Sequence, residues 1–173
     1  MSHIPLVNGD TYAIYRAFLN EMASNLHAIY DEVISHTAAS KTVSSIVTTN
    51  LFQISGGPIK TCDIAGFITT AIAAGANSTK LVYTSTGGAA VDLCAVLNVA
   101  SSGIRKCLSI SGVKADALKL SPDEGVVVKV STEACIILQP GIISMNCAGS
   151  TAGVIKWDLE FEPLTATSLV TAL

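Results

Sequence analysis

Charge is what this sequence lacks most. Of its 173 residues, 13% are Asp, Glu, Lys or Arg, against roughly 25% in an ordinary soluble domain. Half of the residues are hydrophobic. A monomer in water needs a charged surface, so this shortage implies that part of the surface is covered in the working state. Aromatics are scarce as well, at 5% with a single tryptophan. Long apolar runs are missing: the longest, 64–76, is broken by Gly66, Thr69, Thr70 and Gly75. A spanning helix needs about 20 apolar residues, so no membrane partner is expected. No basic segment followed by an apolar core opens the chain, which predicts no secretory signal and a protein made and kept in a cytoplasm. Arg16 and Arg105 are the only arginines, no basic run exists, and the net charge is −3. A nucleic-acid surface needs clustered cations to displace counterions, so nucleic acid is not an expected partner.

The residues of catalysis are also thinly spread. The three histidines, His3, His27 and His36, all fall before residue 40, and none has the spacing to a serine or cysteine that would mark an activated nucleophile. No G-x-S-x-G, phosphate-binding loop or H-E-x-x-H occurs. Gly56-Gly57-Pro58 and Gly87-Gly88 lack the lysine and following helix of a phosphate loop and read as turns. Glu160 and Glu162 share a face with Asp158 beside them, and a solvated acidic strand explains them more simply than a metal or sugar site. Asp123-Glu124 reads as a loop tip. The five cysteines, Cys62, Cys94, Cys107, Cys135 and Cys147, include no C-x-x-C pair and lie in strand-like runs. They are expected to be reduced, buried, small hydrophobes, with cross-strand disulfides as the second reading. No catalytic residue, metal or cofactor is expected, and the chain reads as a non-enzyme.

What is present divides near Ser40. Residues 1–9 contain Pro5 and Gly9 and read as an extended arm. Asp10 can cap a helix by accepting from its first free N–H groups. From Thr11 to about His36, apolar residues recur at Tyr12, Tyr15, Leu19, Met22, Leu26, Ile29 and Val33. Their alternating spacings of three and four form a heptad seam, and it is the candidate interface. Ile14, Phe18, Tyr30 and Ile34 widen it. The helix can pack on the protein's own β-domain, or on copies of itself or a partner; the shortage of charge favours the second. Beyond Thr37 the helix should fade.

From Lys41 the pattern is β. Runs rich in Val, Ile and Thr alternate with Gly and Pro turns. The expected strands are Val43–Ser55, Ile59–Ile64, Phe67–Ala73, Thr79–Thr84, Asp92–Val99, Arg105–Ile110, Ala117–Leu120, Val126–Val130, Ala134–Leu138, Gly141–Cys147 and Val154–Glu162. The last is the clearest: Ile155, Trp157, Leu159 and Phe161 alternate with Lys156, Asp158, Glu160 and Glu162, so one face is buried and the other wet. The run from Phe67 to Ile72 is apolar on both faces, as in a central or interface strand. The uncharged tail from Thr165 is expected to dock. Together these predict a mainly β protein. An N-terminal arm and one amphipathic helix (1–40) precede an antiparallel β-sandwich or jelly-roll-like domain (41–173).

The β-region resembles a family of small bacteriophage structural proteins found among head and tail genes. The likeness rests on Phe52-Gln53-Ile54-Ser55-Gly56-Gly57-Pro58-Ile59, Gly66-Phe67-Ile68-Thr69-Thr70-Ala71-Ile72, Asn77-Ser78-Thr79-Lys80-Leu81, Asp92-Leu93-Cys94, and the closing run from Gly153 to Leu164. It covers roughly residues 50–165, and the order of the motifs carries it. The resemblance implies a virion component and transfers no catalytic residue. The expected role is a capsid decoration (cement) protein that self-associates, with a homotrimer as the expected form. It would bind the major capsid protein or other virion proteins after assembly in the host cytoplasm. A tail or fibre component, with receptor binding as a role open to it, is the alternative, and a lectin-like cellular module is the third.

Overall fold

The computed structural model describes residues 17–22, 35–42, 48–125, 134–149 and 152–173. The chain divides into two compact units, 1–33 and 34–173. In the first unit the described residues form one short helix, α1 (17–22). The expected arm, the remainder of the expected helix up to residue 34, and the expected strand Val126–Val130 lie outside the described residues.

The described residues of the second unit form twelve strands. They are β1 (Ser35–Thr42), β2 (Thr48–Ser55), β3 (Ile59–Thr70), β4 (Ser78–Ser85), β5 (Ala90–Asp92), β6 (Leu97–Asn98), β7 (Cys107–Ser109), β8 (Lys119–Leu120), β9 (Ile136–Leu138), β10 (Gly141–Cys147), β11 (Val154–Pro163) and β12 (Leu169–Ala172). Two antiparallel sheets result. The first runs β1-β11-β3-β7-β8, with β9 also pairing β3; the second runs β12-β2-β10-β4-β5, with β6 also pairing β4. The fold is a β-sandwich, as the alternation and turn spacing require.

Each sheet has one greasy face because alternate side chains point the same way. In β11 the buried set is Ile155, Trp157, Leu159 and Phe161. In β10 it includes Ile143, Met145 and Cys147, which register against Tyr83, Leu81 and Thr79 of β4. These sets, with Leu51, Phe52, Ile54, Ile64 and Leu108, form one hydrophobic core. Closing it is worth roughly 1.5–3 kcal/mol for each large apolar side chain buried.

Three features depart from the sequence reading. First, Ile59 to Thr70 is one strand rather than two with a break at Ala65-Gly66. Gly66 registers against Trp157 on one side and Leu108 on the other. It continues the ladder because its missing side chain makes room for the indole. The ladder is irregular elsewhere: its register with β11 shifts between Val154 and Ile155 and, at a bulge, between Glu160 and Glu162. Buried Thr61 fills that gap by donating its hydroxyl to the Glu160 carbonyl at 2.7 Å, and the extra residue lets β3 change phase without leaving the sheet.

Second, residues 35–42 form a strand and not a fading helix, so Ser35 to Ser40 belong to the β unit. This stretch has no period of its own; its eight residues are held by a complete register with β11, from Ser35↔Phe161 to Thr42↔Val154. Third, Asp92–Val99 is not continuous. Leu93 and Cys94 are consecutive and both buried, which a simple alternation forbids. The Leu81 N–H donates to the Cys94 sulfur at 3.3 Å, and the chain then turns to bridge Ala95 with Ala117. The apolar tail docks, as expected, and does so as β12 on the edge of β2, from Leu169↔Ser55 to Ala172↔Phe52.

The turn at Gly56 has a specific steric reason. Its φ is 74°, a region open to glycine. A Cβ there would lie 1.8 Å from the Thr167 carbonyl oxygen. Thr167 and Ser168 donate their hydroxyls to the carbonyls of Gly56 and Pro58, so this turn anchors the chain entering β12.

Candidate interaction surface

Of the seven seam residues, Leu19 and Met22 lie on α1 and are exposed, as is Phe18 beside them. Tyr12, Tyr15, Leu26, Ile29 and Val33 lie outside the described residues.

The outer face of the first sheet has two characters. Along β11 it is charged, with Lys156, Asp158, Glu160 and Glu162 alternating with the buried set. Lys60 on β3 meets Glu162 across the strands at 2.8 Å. Both side chains are nearly half exposed, so solvent screens the pair and it contributes little to stability. Nearby on the same face, Ile137 of β9 registers against Lys60 and is 63% exposed.

Toward the other end of β3 the surface turns apolar. Phe67, Ile68, Thr69, Ile104, Arg105, Cys107 and Gly125 line a groove of about 510 Å³. The backbone builds it. Arg105 adopts φ 65° and donates its N–H to the Ile68 carbonyl at 2.9 Å, while the Ile68 N–H returns a bond to Lys106. The tight turn sets Ile104 and Arg105 beside exposed Phe67, and Gly125 closes the end by donating to Arg105. Arg105 is the sole charged residue of this lining. A partial signal of this groove is legible in the sequence, since Phe67 and Ile68 are both large and apolar yet adjacent strand residues point to opposite faces.

Groups with chemical potential are held in structural roles. Ser111 donates to Asp116 at 2.7 Å and also accepts from the Val113 N–H, which organises a turn. His3 and His27 lie outside the described residues, and His36 sits on β1. Among the described residues no three His, Cys, Asp or Glu side chains converge as metal ligands, and no described helix is long and apolar enough to cross a membrane. Trp157 and Tyr83 are buried, Tyr83 donating to the Gln139 carbonyl at 2.7 Å, so neither offers a ring for stacking.

The cysteines divide into two kinds. Cys94, Cys107 and Cys147 are buried thiols, as the first sequence reading has it. Burial pushes each of them above the ordinary thiol value, which keeps them protonated and unreactive. Burial also raises Tyr83. Cys62 and Cys135 depart from that reading: they form a disulfide with Cα atoms 4.1 Å apart. Pairing β9 with β3 in antiparallel register brings together two residues separated by 73 positions, which spacing along the chain does not reveal. No family model, curated protein or solved structure matches this chain.

Proposed function

We propose that this chain is a non-enzymatic structural subunit of a bacteriophage virion, with decoration of the capsid shell as its leading role. The observation that carries the reading is a sequence with 13% charged residues whose β unit displays large apolar side chains. Ile137 is 63% and Leu169 56% exposed, and Val96, Ile104, Val113 and Phe67 are exposed as well. Covering such surface stabilises an assembly at roughly 25 cal/mol per Å² before association costs are subtracted. A closed homo-oligomer, with a trimer as the expected form, is the usual arrangement of such self-associating modules. The phage assignment itself rests on the ordered sequence motifs given above. In this reading the first unit and its exposed α1 residues attach the protein to the shell or to a neighbour. A tail or fibre component is the second reading, and the apolar groove beside Arg105 favours it as a place for a receptor segment. The lectin-like reading loses support because Trp157 and Tyr83 are buried.

Quantitative mass spectrometry of purified particles tests the assignment. Hundreds of copies per particle support decoration, a handful supports the tail reading, and absence from the particle overturns both. Attachment is tested by removing residues 1–33 rather than 1–40, because β1 begins at Ser35 and belongs to the sandwich. The truncated chain should fold and no longer bind particles; undiminished binding would refute the role given to the first unit.

A further inference from the structure

Two of the five cysteines are exposed, and those two are bonded to each other. The other three are buried. Cys62 lies on the wet side of β3, one position beyond the Thr61↔Ile136 pair. Cys135 lies immediately before β9, so the bond forms the next rung of the β3–β9 ladder. That ladder is short: β9 has three residues, paired as Ile59↔Leu138, Lys60↔Ile137 and Thr61↔Ile136. Beyond Cys135, Ala134 adds one backbone bond, to the Ser111 carbonyl. The covalent rung therefore fixes the end of an element that has little other pairing. A cleft of about 170 Å³ lined by Lys60, Cys62, Glu160, Phe161 and Glu162 gives a small molecule access to the Cys62 side.

We propose that Cys62–Cys135 is a reversible redox staple, closed and opened in the folded protein by exchange with small thiols and disulfides of the glutathione class. Closure begins when the Cys62 thiolate attacks one sulfur of a small disulfide, forming a mixed disulfide and expelling one thiolate. The Cys135 thiolate then attacks the Cys62 sulfur, forming the Cys62–Cys135 bond and expelling the second thiolate. Two cysteine thiols are oxidised, one small disulfide is reduced to two thiols, and the two cysteine protons pass to the leaving thiolates. Opening is the reverse, driven by a thiol reductant. Exchange of this kind needs access to sulfur; Cys62 and Cys135 have it, whereas Cys94 and Cys147 are buried and Cys107, though it lines the groove, is only 4% exposed and donates its thiol to the Arg105 carbonyl. A reducing cytosol leaves such a pair open and an oxidising exterior closes it. The state of the staple therefore follows the protein's surroundings, independently of what the protein assembles with. A crosslink spanning 73 positions restricts the unfolded chain strongly, so closure also acts on the stability of the whole sandwich.

The full chain is equilibrated in glutathione buffers of rising oxidised fraction and alkylated without unfolding, and the labelled sites are read by peptide mass. The oxidised protein should take no label. The reduced, folded protein should take two, at Cys62 and Cys135, and the other three should label only after denaturation. Oxidation should raise the melting midpoint by on the order of 5–15 °C, and Cys62→Ser with Cys135→Ser should abolish the response. Free Cys62 and Cys135 in oxidised buffer would overturn the proposal, as would a bond that reduces only after unfolding. Because the labelling is read on the unmodified sequence, the test holds even if the double variant folds poorly.

Discussion

At the scale of single residues, the core is set by close approaches that tolerate little change. Gly66 lies opposite Trp157, and a Cβ at this position would sit 3.0 Å from the indole Cζ3 and 3.1 Å from Ile155 Cγ2 and Leu108 Cβ. All three neighbours are fully buried and have no free space to enter. Gly66→Ala should therefore destabilise by about 1–3 kcal/mol through overpacking, although replacing a strand glycine normally helps by a few tenths to 1 kcal/mol. Urea unfolding followed by the fluorescence of Trp157, the single tryptophan, measures the difference. A stabilised variant would refute the packing argument. Burial also fixes a pH response. Cys94, Cys107, Cys147 and Tyr83 are acids whose folded pKa lies above the ordinary value, first because of desolvation. Below the ordinary thiol value of 9.0 both folded and unfolded chains hold these protons, and this contribution is fully present. As pH rises past it, the unfolded chain loses protons that the folded chain keeps, so stability falls. The urea midpoint should be flat from neutral pH to the ordinary thiol value and decline above it. Cys94→Ala with Cys147→Ala should flatten the decline; an unchanged slope would assign it elsewhere.

At the scale of elements, legibility followed how much of a strand's pairing is written in its own residues. β11 was readable because it alternates strictly from Ile155 to Glu162, and β10 was readable as an apolar run that starts after the Gln139-Pro140 turn and spans Gly141–Cys147. β12 was readable only as an apolar tail that must be covered; its partner, β2, lies more than a hundred residues earlier. β1 was not readable. Ser35 to Thr42 contains no large apolar residue, and its conformation is imposed by the edge of β11, a case in which tertiary context overrides local preference. β3 misled because a glycine inside an apolar run normally marks a break, whereas here it marks a close approach. The cystine belongs to the same class as β1: no local feature of Cys62 or Cys135 pairs them, and only the β3–β9 register does. The groove was half visible, since Phe67 and Ile68 pointed to two buried or covered faces, but Ile104 and Arg105 reach it through a turn with positive φ that composition does not announce.

At the scale of the whole molecule, the shortage of charge has a consequence that distinguishes apolar from ionic association. Contacts made by Ile137, Leu169 and Phe67 exclude water rather than pair charges, so sodium chloride should leave the assembled mass unchanged and sulfate should increase it. An assembly held by the charged stripe of β11 would instead loosen as salt rises. Single carboxylates separate the three patches. Ile137→Asp, Leu169→Asp and Phe67→Asp each change an exposed side chain, and surface substitutions usually alter the stability of a subunit by no more than about 0.5 kcal/mol. In an interface the same change leaves a charge buried without a partner, at a cost of several kcal/mol. At least one of these variants should therefore keep the unfolding midpoint of the subunit yet run as a smaller species in size-exclusion chromatography with light scattering. The position of the effect would map the covered face: Ile137 the charged end of the first sheet, Phe67 its groove, Leu169 the edge of the second. If all three variants keep the mass of the parent, these patches are not what holds copies together, and the inference from low charge to covered surface loses its structural basis.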